Sequence, residues 1–89
     1  MIEYRYSEDQ ILDELQSYID STYGQHYAQT GIQATEFIID AGHGEGFCIG
    51  NVLKYAQRYG KKDGRNRKDL LKVIHYTIML LHINSLNSK

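Results

Sequence analysis

Apolar residues recur along this chain at intervals of three and four, the spacing that lays one stripe along an α-helix. Ile11, Leu15, Tyr18, Ile19 and Thr22 form the first such run and predict a helix over 8–22, ending near Gly24. Ser7-Glu8-Asp9-Gln10 before it reads as a capping box, with acids in the first turn where the helix dipole favours them. Asp13, Glu14 and Asp20 fall on the outer, solvated face. A second capping box, Thr30-Gly31-Ile32-Gln33, leads into a short helix through Glu36, Phe37, Ile38 and Ile39, closed by the loop Gly42–Gly46. The same ATEFIID stretch reads as a strand too, but it has no pairing partner, so helix is the preferred reading.

The third helix is predicted over 47–59, with Gly60 in the position just past the C-cap. At 100° per residue Ile49, Val52, Leu53, Tyr55, Ala56 and Tyr59 share one broad arc. Gly50, Asn51, Lys54, Gln57 and Arg58 share the other. Lys61 to Arg65 (KKDGR) is a turn with two positions of positive φ. Asn66 then caps a fourth helix, with Asp69 in its first turn. That helix continues to about Ile83 and is apolar over more than half its circumference. Such a helix in a small monomer is either sandwiched or lies in a subunit interface. The expected fold is all-α: a small, self-associating bundle of three to four helices in one domain. It divides into an acidic N-terminal helix (1–24), a helical domain (25–83) and a frayed tail (84–89).

Composition supports this. Eighty-nine residues hold one core, and proline is absent, which favours helix. A domain of this size buries only about 60–65 % of its unfolded surface, so it needs a supplement to its stability. The single cysteine, Cys48, excludes an internal disulfide, and no Cys/His cluster suggests zinc. Among Phe47, Ile49, Val52 and Leu53 it reads as a small buried hydrophobe. Self-association is the remaining supplement. No signal-peptide pattern and no membrane-length apolar run are present, so the expectation is a soluble, cytoplasmic protein with no membrane partner.

Charge changes the picture most. Eight of the ten Lys and Arg residues lie between Lys54 and Lys72, against Asp63 and Asp69. The first 45 residues carry Arg5 against nine acids. A formal charge of −1 therefore hides a dipolar chain. Its cationic segment calls for an anion, with phosphate the favoured chemistry. Asn51, Lys54 and Arg58 on the third helix, Lys61, Lys62 and Arg65 beyond it and Lys72 on the fourth make the candidate site. An Arg fork and flexible ammonium groups suit phosphate, and an amide such as Asn51 or Gln57 suits a nucleobase. Tyr55, Tyr59 and Tyr76 are near enough to supply a stacking face. A solvated basic face is the competing reading, opposed by the lack of acids at i±4 from Lys54 and Arg58. Asp69 is either a dipole-capping acid or a group orienting Lys54, Arg58 or a substrate hydroxyl. The glycine-rich loop Gly42–Gly46 precedes a helix as phosphate cradles do, but lacks the Gly-Lys-Ser/Thr ending, and Glu45 repels phosphate. His43 with Glu45 is read as a surface turn, and His75 and His82 as a polar edge of the core. His26 is placed where it projects toward the third helix.

Three pieces recur in a known order: His26-Tyr27 then Gly31-Ile32; Gly50-Asn51-Val52-Leu53-Lys54-Tyr55 then Arg58-Tyr59-Gly60-Lys61-Lys62; and Asp69-Leu70-Leu71-Lys72 then Tyr76. Over Gln25 to Leu81 the chain resembles the SaV-like family of small bacteriophage proteins. It departs from that pattern at Gln33, Val73 and Thr77, where Glu, Ala and Leu are usual. The resemblance implies a phage origin, a relation to the podophage nucleotide kinase that lacks a P-loop, and a place in the host cytoplasm. It makes Asn51, Lys54, Arg58, Lys61 and Lys62 the phosphate-facing set, with His26 and Asp69 as candidate catalytic neighbours; the reading of the residues themselves adds Tyr55 and Lys72 to the binding set. In a kinase the cations would neutralise the transferred group, His26 or Asp69 would orient the acceptor, and Mg²⁺ would accompany the nucleotide. No resident metal site is expected. A non-enzymatic phage effector that binds a host protein or sequesters a signalling nucleotide is the alternative. Nucleic-acid binding is disfavoured by the acidic first half.

Overall fold

The computed structural model describes residues 1–24 and 34–87. All of their regular structure is helical, in four helices: α1 (Glu8–Thr22), α2 (Ala34–Asp40), α3 (Gly44–Arg58) and α4 (Arg67–Asn87). Among the described residues there is no strand, so the helical reading of ATEFIID holds. None of these helices is long and apolar enough to cross a membrane. Two compact units divide between Gly31 and Ile32.

In the first unit α1 has the expected bounds but not the expected cap. Ser7 is left-handed, with φ 59°, and its side chain makes no capping hydrogen bond. The Glu8 carboxylate instead accepts from the Tyr6 backbone N–H at 2.8 Å, which turns the chain before the helix. Ser7-Gln10 is thus no capping box: the competing local bond won. Leu15 is the buried residue of the apolar stripe. The second proposed box, Thr30 to Gln33, lies outside the described residues.

The second unit is built on three closures. Helix α2 ends with His43 N–H bonded to Ile38 O and Gly42 N–H to Ile39 O, both at 3.0 Å, with Gly42 at φ 89°. These are the paired bonds of a glycine-terminated helix. Helix α3 therefore starts at Gly44, three residues before the predicted Phe47, and the supposed Gly42–Gly46 loop is mostly its first turn. The reason is close packing. A Cβ on Gly44 would stand 2.9 Å from Ile83 Cδ1, 3.0 Å from Ile39 Cγ1 and 3.3 Å from Ile39 Cα. The missing side chain is what lets α2, α3 and α4 meet there.

Helix α3 stops as predicted, with Gly60 at φ 86°. Asp63 and Gly64 take the two anticipated positive φ values, 58° and 66°, and Gly60 N–H closes the turn on Gly64 O at 2.9 Å. Asn66 Oδ1 accepts from Lys68 N–H at 2.9 Å, the expected cap. The turn is so short that α4 must run back along α3. It does not fray at Ile83 but continues to Asn87, with Ser85 Oγ bonded to Leu81 O.

The α3 arc predicted from periodicity was drawn too wide. Cys48 is fully buried and Val52, Tyr55 and Tyr59 are half-buried, but Ile49, Leu53 and Ala56 are exposed. Arg58, placed with the outer residues, is half-buried. One neighbouring helix covers only part of a helix surface, so position around the axis decides burial where hydrophobicity alone does not.

Two outcomes follow from this packing. Gly44→Val should destabilise the protein by about 1–3 kcal/mol through overpacking, lowering Tm by at least several degrees, measured by thermal melts. His75 is half-buried, and desolvation pushes its imidazole pKa below the usual 6.5. The unfolded chain therefore binds that proton first. Its contribution to stability is present above about pH 6.5 and is lost as pH falls below it. Tm should drop between pH 7.5 and 5.5, and His75→Gln should reduce the drop.

Candidate functional site: a cationic flank around Tyr55

Lys54, Tyr55 and Arg58 occupy the last turns of α3, and the return of α4 sets Asp69, Lys72 and Tyr76 beside them. Tyr55 and Tyr76 lie nearly parallel, with centroids 6.1 Å apart and planes at 11°. Phe47 meets Tyr76 edge-on at 5.9 Å. Three cations gather on the Tyr55 ring. Lys72 Nζ is 4.7 Å from its centroid, Lys54 Nζ 5.1 Å and Arg58 Cζ 5.4 Å. One such contact stabilises by about 0.5–1 kcal/mol where exposed. Two like charges about 6 Å apart repel by about 0.7 kcal/mol in bulk water and about 3 kcal/mol at an effective dielectric of about 20. Repulsion among the three cations is thus at least comparable with what the ring contributes.

Among the described residues, the counter-charge that pairs with these cations is Asp69. Its side chain is fully buried, and Oδ1 stands 3.2 Å from Arg58 Nε, while Arg58 is 23 % exposed. The pair is a charge contact without aligned hydrogen bonds: neither Arg58 Nε nor either Asp69 oxygen has a hydrogen-bond partner among the described residues. A buried pair of this kind contributes little net stability, because desolvation of both ions offsets their attraction. Asp69 thus lies against Arg58, one of the groups its sequence position could face, and full burial keeps it from a ligand in this conformation.

The other expected residues divide. Asn51 Nδ2 donates to Phe47 O at 2.9 Å, which commits its amide nitrogen to the helix. Lys61 Nζ reaches Gln57 Oε1 at 3.4 Å and so is drawn to the neighbouring side of α3. Lys62 is exposed in the turn. The Tyr55 ring, foreseen as a stacking face, is already engaged by Tyr76 and the cations. His26 lies outside the described residues. Among the described residues no group of three His, Cys, Asp or Glu side chains could hold a metal. Cys48 is free and buried, and desolvation raises its thiol pKa.

The sequence left Arg58 as one of three groups that Asp69 could face, and no acid one helical turn from Arg58 competes for it. The turn over 60–66, itself foreseen, was the available signal: it sets the first turn of α4 beside the last turn of α3.

Residues 21–77 match the family described as a protein of unknown function, DUF3310. That segment is more than half of the chain and holds every described residue of the site, so the chain belongs to this family. No curated protein and no solved structure matches it.

Proposed function

We propose that this DUF3310 protein binds a phosphorylated small molecule, a nucleotide first among them, on the Tyr55 flank of α3 and α4. One observation carries the reading: three cations crowd one ring against one carboxylate, which leaves an excess of two positive charges. A phosphate monoester near neutral pH carries a charge of about −1.5 to −2, which complements that excess. Lys54 and Lys72 supply mobile ammonium groups and Arg58 the planar guanidinium.

The resemblance to the SaV-like phage proteins extends the proposal to a nucleotide ligand, a phage origin and work in the host cytoplasm. A kinase-like phosphoryl transfer requires a second phosphate and an acceptor-orienting group beside the same cations. His26 is the candidate for that group, and Mg²⁺ would arrive with the nucleotide.

The opposite flank favours a second role, binding to protein, either another copy or a host partner. Ile49 and Leu53 on α3 are 43 % and 64 % exposed, and Leu81 on α4 is 63 % exposed. Ile49 and Leu81 also line an open groove of about 480 Å³. An effector would use this face whatever the cationic flank holds.

Thermal shift with inorganic phosphate, dTMP and ATP tests the first reading. At about 100 times Kd a ligand adds about 2.7 kcal/mol, a rise in Tm of about 10 °C or more for a domain this small. Lys54→Ala and Lys72→Ala should each weaken binding about tenfold, as expected for loss of a charged contact. No shift with any of the three ligands overturns the reading. For the second role, Leu81→Asp should lower the mass seen by light scattering or abolish host-protein capture; an unchanged assembly and unchanged capture exclude this face.

A further inference from the structure

Arg58 is held in an unusual way. Its contact with Asp69 runs through Nε, at 3.2 Å to Oδ1, on one edge of the guanidinium. Nε is buried and makes no hydrogen bond among the described residues, so charge attraction draws that edge toward Asp69. The side chain keeps 23 % of its surface exposed while Asp69 has none. A guanidinium drawn inward at its Nε edge by charge leaves its terminal pair as a fork, the arrangement that grips two oxygens of one phosphoryl group. The aromatic groups point the same way. Tyr55 lies against Tyr76 and beneath three cations, so its ring is taken up in holding charge and does not serve as a platform for a base. One N–H of the Asn51 amide, a group that could read a base edge, is committed to Phe47 O.

We propose that Asp69 is a positioning residue: it fixes Arg58 by its Nε edge so that the terminal amino pair clasps the phosphoryl group of a phosphate monoester. The site then reads the phosphate end of its ligand and leaves the base unread. This rests on the phosphate reading above and narrows it to the monoester class. Lysine cannot substitute for Arg58, since it has neither an edge for Asp69 nor a fork for the ligand. The carboxylate acts through Arg58 and does not touch the ligand.

Calorimetric titration of the full chain with inorganic phosphate, ribose 5-phosphate, dTMP and AMP tests this. Wild type should bind the three organic monoesters within about threefold of each other, because a shared charged contact accounts for a factor of ten or more. Arg58→Lys should weaken ribose 5-phosphate about tenfold, and Asp69→Asn should do the same with helical content retained by circular dichroism. In the double variant the Asp69→Asn change should add less than about twofold, since its effect passes through Arg58. Equal losses from Asp69→Asn in both backgrounds would mean a merely structural carboxylate and overturn the proposal. So would Arg58→Lys at wild-type affinity, which needs no Asp69 variant to fold, or a preference among the organic monoesters larger than about tenfold. If Lys72→Ala weakens phosphate but Asp69→Asn does not, the positioning role falls and the phosphate site stands. If wild type binds none of the four, both fall together.

Discussion

A carboxylate sealed from solvent at the base of α4 faces a guanidinium at the end of α3, and this constraint organises the second unit. Asp69 is fully buried there, with Arg58 Nε 3.2 Å from its Oδ1. Arg58 can lean inward only because α4 returns directly along α3. That return depends on the turn through Gly60, Asp63 and Gly64, whose positive φ values reverse the chain within a few residues. At the far end Gly44 lets Ile83 and Ile39 close on the backbone. The two contacts mark the length of one antiparallel helix pair, apolar at one end and ionic at the other.

Between these anchors the pair has two flanks of opposite chemistry. One carries Lys54, Arg58 and Lys72 around Tyr55, and the other exposes Ile49, Leu53 and Leu81. Neither arrangement is what folding stability alone would select. Like charges on one ring repel, and apolar side chains in water forgo burial. An anion on the first flank and a protein surface on the second would each relieve the tension that the isolated fold leaves. The thin core is consistent with this: among the described residues of the second unit, Cys48, Leu71 and Ile83 are the buried hydrophobic ones.

The route from residues to site succeeded where the signals were local. KKDGR gave its two positive-φ positions, Asn66 its cap and Gly60 its helix stop, because each depends on bonds within a few residues. Ser7 shows the limit of even local reasoning. Its sequence suits a capping box, but Glu8 found a shorter path to the Tyr6 N–H. The glycines at 44 and 46 looked like loop residues, since nothing nearby in sequence reveals that a helix needs Gly44 for clearance from Ile39 and Ile83.

The order of residues alone determined that this chain is helical, that its positive charge concentrates near the junction of its last two helices, and that Cys48 is interior. Periodicity and charge count are properties of the chain itself. The tertiary structure alone decided which side of α3 faces inward. It turned Arg58 from a surface cation into the partner of Asp69, and it left Leu53 in water. Those outcomes depend on which helix lies across from which, a relation that arises only when residues distant in sequence come into contact.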